Sequence, residues 1–189
     1  MPWVKSNEPN IFHYITSVTF NRVPVFRSEK ASEIFISTLA DVREKYPFKL
    51  IGYVVMPDHF HPLVNPQNCD ISKLLLRVRG LSARKTIDWL REKKHLSSLA
   101  KLTLTHPQKK LNTHSLWQKN PAVVDLYSHK FVNQKLNYIH LNPVRARLCE
   151  HPAEWRWSSY RAYFPHEKGS VPIEIDKLTY WKEDELKNE

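Results

Sequence analysis

Nine residues from Phe48 to Met56 (FKLIGYVVM) are almost uninterruptedly apolar, and they stop at Pro57 and Asp58. A run of that length closed by a proline corner reads as a buried strand, taken as a central one, with His59–Val64 returning beside it as a second strand. Upstream, His13–Phe20 (HYITSVTF) sets Tyr14, Thr16, Val18 and Phe20 on one face of a β-branched segment, which predicts another strand. Glu29–Tyr46 carries Ile34, Phe35, Thr38, Leu39 and Val42 at helical spacing and is closed by Pro47. A long helix is expected from Asp70 to about Lys94, irregular polar chain over Ser97–Thr113, and a strand region around Val123 and Val124. A helix follows from His129 to about Leu141, where Pro143 punctuates it. The order β-α-β-β-α-β with a trailing helix predicts an α+β fold: a ferredoxin-like antiparallel sheet with helices on one face and an additional C-terminal segment. Such a sheet has a second face on which a site can be built.

The 189 residues are enough for one domain, expected over 1–165, with a charged tail over 166–189. No apolar run approaches the ~18 residues of a membrane span, and the first ten residues lack the apolar core of a secretory signal. Cys69 and Cys149 form no pair motif, so a reducing cytoplasm is the expected location. Glycine is confined to Gly52, Gly80 and Gly169, too few for a P-loop or a dinucleotide-binding turn.

Charge supplies the first functional constraint. The net charge is +10, and Asp70–Asn120 alone holds twelve basic and three acidic residues, whereas Glu174–Glu189 holds six acidic and three basic. A basic block in an otherwise balanced chain points to a polyanion, and nucleic acid is favoured over an anionic membrane because no basic amphipathic helix with an aromatic face stands out.

The chemistry concentrates in two places. In Met56-Pro57-Asp58-His59-Phe60-His61, strand alternation brings His59 and His61 out on one face while Phe60 points to the other. Two imidazoles converging on one cation, with coordination positions left open, suit a metal that also takes water and phosphate oxygens. An arbitrary His-x-His is most often a pair of surface histidines; here it follows a buried strand and a tight turn. Asp58 is suited either to the metal's surroundings or to capping the turn. The second place is Tyr138-Ile139-His140-Leu141-Asn142, where a helix stacks Tyr138 and Asn142 on one face with Gln134 a turn earlier. Tyr138 lies off the apolar stripe of Val132, Leu136 and Ile139, unlike a tyrosine used only for packing.

With both motifs in view, the chain resembles the HUH single-tyrosine transposases, most closely the REP-associated tyrosine transposases. Met-Pro-Asp-His-x-His, Tyr-Ile-His-Leu-Asn-Pro-Val-Arg-Ala at 138–146 and Trp157-Ser158-Ser159-Tyr160-Arg161 carry the resemblance, which spans roughly His13–Tyr163. It implies a divalent metal, Mg or Mn, held by His59, His61 and Asn142. It implies Tyr138 as the nucleophile that opens a DNA backbone and forms a 5′-phosphotyrosine, and single-stranded DNA with hairpin structure as the partner. A cytoplasmic protein that joins the nucleoid when bound to DNA is expected, as a monomer or homodimer with the monomer preferred. Two departures bear on geometry. Pro62 predicts that its strand is an edge or is distorted, and Pro143 disfavours helical geometry at Asn142.

Lys73, Arg77, Arg84 and Arg91 are spaced by 4, 7 and 7 residues and make one basic stripe with Gly80, predicted to face DNA phosphate. Ile71, Leu74, Leu75, Val78 and Leu81 are its expected buried side. Arg145, Arg147 and Arg161 are further DNA-binding candidates, and Trp155, Trp157, Tyr160 and Tyr163 suit either base stacking or packing of the C-terminal segment. The competing readings are a hairpin-binding protein of the same fold without cleavage, an RNA-binding module, which would place aromatics rather than histidines on its strands, and a zinc hydrolase, for which a further ligand set is missing.

Overall fold

The computed structural model describes residues 11–67, 70–105, 113–164, 166–167 and 169–179. Four strands, β1 (Phe12–Val18), β2 (Lys49–Met56), β3 (His59–Asn65) and β4 (Ala122–Leu126), form one antiparallel sheet in the order β2-β3-β1-β4. Helix α1 (Glu29–Lys45) connects β1 to β2, and α2 (Ile71–Glu92) with the short α3 (Leu96–Lys101) connects β3 to β4. Helix α4 (His129–Arg145) trails the sheet and is followed by the short α5 (Tyr160–Tyr163). This is the expected α+β arrangement and element order.

Local chemistry sets the helix starts. Ser28 caps α1 by accepting from the Ala31 N–H, Asp70 caps α2 by accepting from Ser72, and Ser128 caps α4 by accepting from Phe131. Strand alternation then divides the core. Ile15, Leu50, Tyr53, Val55, Phe60 and Val64 face α1 and α2, with the Phe60 ring 4.5 Å from that of Phe35. Tyr14, Ile51, Val54, Met56 and Leu63 face the other way and meet Leu136, Val132 and Ile139 of α4. The second face is thus partly covered by the trailing helix, which packs against β2 and β3. Gly52 permits that approach: a Cβ there would lie 2.4 Å from Leu136 Cδ1 and 3.3 Å from Ser159 Oγ. Leu136 is wholly buried and has no room to retreat. Gly52→Val is expected to cost about 1–3 kcal/mol of stability, read as a lower denaturant midpoint at unchanged slope.

Several expectations are corrected. The apolar run of β2 lies at the edge of the sheet, not at its centre. Its apolarity comes from being covered on both faces, and its outer edge is closed by chain from the C-terminal third: Val55 N–H donates to Trp157 O, Ser159 N–H to Tyr53 O, and Asp176 N–H to Leu50 O. Conversely β3, which carries Pro62, is internal. Helix α4 continues through Pro143 to Arg145, so Asn142 is helical, and its side chain is buried. Within Ser97–Thr113, expected to be irregular, α3 forms one helical turn and a half, burying Leu99. Nor is the chain beyond 165 merely a charged tail: Ile173 is buried with α1 and α2, and Asp176 pairs with Arg43. Leu81, expected on the buried side of α2, is exposed.

Candidate active site

On the face covered by α4, strand alternation delivers the site. His59 and His61 leave β3 on the same side, with ring centroids 4.7 Å apart. From above, α4 brings the Tyr138 ring to 5.7 Å from that of His61 and 6.0 Å, edge-on, from that of Tyr14. The two motifs, 77 residues apart between His61 and Tyr138, meet in one place.

Each imidazole is oriented by what surrounds its Nδ1. For His59 it is the Asp58 carboxylate at 2.6 Å, which itself accepts from Arg22 at 3.0 Å. Burial works to raise the Asp58 carboxyl, but the hydrogen bonds and charges of His59 and Arg22 outweigh it and hold the group below its ordinary value. For His61 three oxygens surround Nδ1: Tyr14 Oη at 2.8 Å, Thr16 Oγ1 at 3.0 Å and the Ile15 carbonyl at 3.3 Å. Because a carbonyl only accepts, the arrangement favours the tautomer with hydrogen on Nδ1. That carbonyl is free for a reason legible in the ladder. Thr19 N–H donates to Asp58 O, so alternate pairs from Thr19/Asp58 onward are hydrogen-bonded ones, and Ile15 stands opposite Pro62 in that series. Pro62 has no N–H to give, and the ladder skips from Ser17/Phe60 to Tyr14/Leu63. The proline distorts an internal strand and frees an acceptor for His61.

With both Nδ1 atoms engaged, Nε2 is the ring nitrogen each histidine has left for a ligand, the pattern in which a carboxylate or carbonyl behind an imidazole fixes its tautomer for a metal. Burial, then the neighbouring His59, push His61 down to about pKa 3, so it stays neutral and able to ligate. The donor set fits a divalent cation. Among the described residues no group of three or more His, Cys, Asp or Glu is placed to hold a metal. Asn142, whose carboxamide oxygen is a neutral donor, is buried one turn beyond Tyr138.

The remaining candidates divide. Arg145 is exposed, with its guanidinium 5.5 Å from the Tyr138 ring, and Arg147 is exposed just beyond it, at positive φ. Lys73, Arg77, Arg84 and Arg91 lie on α2, across the sheet from the histidines. There Arg77 stacks on Tyr46 at 3.7 Å, and Arg84 and Arg91 pair with Asp88. The structure does not bring these four to the histidine–tyrosine cluster. Arg161 is tucked beneath Gly169, where a Cβ would meet its guanidinium at 2.6 Å. The C-terminal aromatics pack: Trp155 Nε1–H donates to Val55 O, Tyr163 Oη–H to Ile51 O, and Trp157 and Tyr160 are buried. Three residues at the site were not singled out from sequence. Tyr14 and Thr16 had a signal in the alternation of HYITSVTF. Lys135, three residues before Tyr138, lies 5.0 Å above the Tyr14 ring and 5.8 Å from that of Tyr138.

Residues 10–141 match the model of the family described as "Transposase IS200 like". The chain belongs to the IS200-like transposase family. The match takes in His59, His61 and Tyr138 and ends just before Asn142. A Haemophilus influenzae protein described as a REP-associated tyrosine transposase is 24% identical over 166 residues, covering 85% of this chain and 88% of that one. The fold is also that of a REP-associated tyrosine transposase solved with a REP hairpin, with a TM-score of 0.66, 15% identity, and 95% of this chain and 94% of the other covered. The resemblance read from the motifs is borne out, and the coarse function is that of a DNA transposase. No helix among the described residues is long and apolar enough to cross a membrane.

Proposed function

We propose that this transposase cuts and rejoins single-stranded DNA beside hairpins through a covalent 5′-phosphotyrosine on Tyr138, with His59, His61 and Asn142 holding a divalent metal. The observation that carries the reading is the meeting of the Tyr138 ring with two imidazoles whose Nδ1 atoms are both occupied. The solved relative bound to a REP hairpin supports hairpin DNA as the partner.

Tyr138 is half-exposed on α4, so its phenol is accessible to a strand lying over the sheet. Its oxygen bonds to phosphorus as the P–O3′ bond breaks. The phenol proton passes to solvent, the 3′ oxygen takes one up, and the 5′ phosphate remains on the tyrosine. Attack by a 3′-hydroxyl reverses these steps and restores the strand, so the bond energy is conserved between cutting and joining. Arg145, beside the ring, offsets negative charge on the phosphate. When bound, Mg or Mn would polarise the scissile phosphate. His59 and His61 would hold the metal, His59 oriented by Asp58 and His61 by Tyr14, Thr16 and Ile15 O.

The test is a labelled hairpin oligonucleotide with single-stranded flanks, incubated with wild-type protein in Mn, Mg or chelator. The expected result is a denaturation-resistant protein–DNA adduct that needs metal and is absent with the fully paired duplex. Hairpin binding without any adduct in either metal would replace this reading with that of a non-cleaving hairpin-binding protein.

A further inference from the structure

Phe131, Lys135, Tyr138, Asn142 and Arg145 follow one another at spacings of 4, 3, 4 and 3 on α4 and therefore share one stripe. The stripe runs beside the helix's buried side, Val132, Leu136 and Ile139. Its C-terminal half is accounted for by the site described above; its head is not. Phe131 is 53% exposed in a chain whose other phenylalanines are buried (Phe26, Phe35, Phe48, Phe60, Phe164) or half-buried (Phe12, Phe20). Val124 pairs with Tyr14 in the β1–β4 ladder, so both point to the face that carries the histidines. Helix α4 packs chiefly against β2 and β3, and of the β4 side chains on this face Leu126 is buried with Val132 while Val124 is 44% exposed. Lys135 lies over the Tyr14 ring and near that of Tyr138. Phe131 is two helical turns, about 10 Å, from Tyr138.

An exposed aromatic ring beside a lysine suits a base and its phosphate: the ring offers a stacking face, the ammonium a counter-charge, and their stripe runs on to Tyr138. We infer that Phe131 and Lys135 seat an unpaired nucleotide of the strand close to the phosphate that Tyr138 attacks. The inference rests on the proposed function and adds to it the path the strand takes.

Binding in chelator, where no cutting takes place, separates the two. A fluorescein-labelled hairpin with thymidine flanks of about ten nucleotides is titrated with full-length wild type, Phe131→Ala, Phe131→Trp and Lys135→Met, each checked for an unchanged melting temperature. Phe131→Ala is expected to weaken binding about tenfold and Phe131→Trp to restore it. Abasic sites placed singly through the flanks should include one that weakens the wild type by the same factor and leaves Phe131→Ala unaffected. Lys135→Met should lower the salt slope by about one phosphate contact. Wild-type affinity in Phe131→Ala, or mutation and abasic losses that multiply at every position, would overturn the seat. So would sedimentation showing a wild-type dimer that Phe131→Ala converts to monomer with DNA affinity intact, since the ring would then be covered by a second copy. A seat that passes in chelator while no adduct forms in metal would sink the cutting reaction and spare the seat; an adduct with a failed seat does the opposite.

Discussion

Tyr138→Phe is expected to bind hairpin DNA as the wild type does and to form no detectable adduct, a loss of at least about 10⁴-fold. The ring contacts with His61 and Tyr14 survive the change, because they are made by the ring and not by the hydroxyl. His61→Ala should lower the rate by about 10³-fold, on the basis that several kcal/mol of charge stabilisation depend on metal at the phosphate. The groups behind the imidazoles should matter less: Asp58→Ala and Tyr14→Phe are each expected to cost about 10–100-fold, recovered in part by excess metal. Single-turnover rates across a Mn titration measure all four. An adduct from Tyr138→Phe would move the nucleophile, but the structure leaves the nearby tyrosines poorly suited: Tyr160 is buried and the Tyr163 hydroxyl is committed to Ile51 O. Undiminished, still metal-dependent cutting by His61→Ala would remove the imidazole pair from the proposed site.

Particular residues show how much of this was legible in the chain. The face shared by His59 and His61 follows from strand period alone, and the helical stacking of Tyr138 on Asn142 from helix period alone, because both are local consequences of backbone geometry. That the two motifs meet is a long-range fact. It depends on α4 crossing the second face, and the resemblance supplied it before the coordinates did. Strand position was read wrongly for one reason: burial of side chains and pairing of backbone are separate properties. β2 is apolar on both faces yet lies at an edge sealed by Trp157–Ser159, while Pro62 sits in an internal strand that forgoes one ladder bond. The same proline, which predicts an edge or a distorted strand, frees a carbonyl toward His61. The basic stripe of α2 was correctly seen as one face of a helix, but sequence period cannot say which side of a sheet a helix covers. Lys135 and Phe131 escaped notice because neither belongs to a motif; the stripe they share with Tyr138 is visible once α4 is fixed.

Acid should unfold the metal-free protein through two buried imidazoles that the folded chain keeps neutral. Burial holds both His61 and His140 down to about pKa 3, against an ordinary value of 6.5 in the unfolded chain. Above pH 6.5 both states carry neutral imidazoles and the two groups have no effect. Between there and pH 3 the unfolded chain takes up protons that the folded one refuses, so stability falls as pH falls. Two such groups give a slope of about 3 kcal/mol per pH unit below pH ~5.5. Set against the 5–15 kcal/mol that stabilises a typical domain, this brings unfolding at room temperature to about pH 4. His140 Nε2 lies 3.0 Å from Ser159 Oγ, which also accepts from Tyr53 N–H at the edge of β2. Protonating it therefore strains the seam between α4, the C-terminal segment and the sheet. His140→Gln keeps a hydrogen-bonding side chain without the titration, and it should roughly halve the acid slope while leaving hairpin binding near neutral pH unchanged. Melting temperatures from pH 7.5 to 4.5 in chelator decide the matter: a flat profile over that window, or an equal slope in His140→Gln, would show that these imidazoles are protonated in the folded protein.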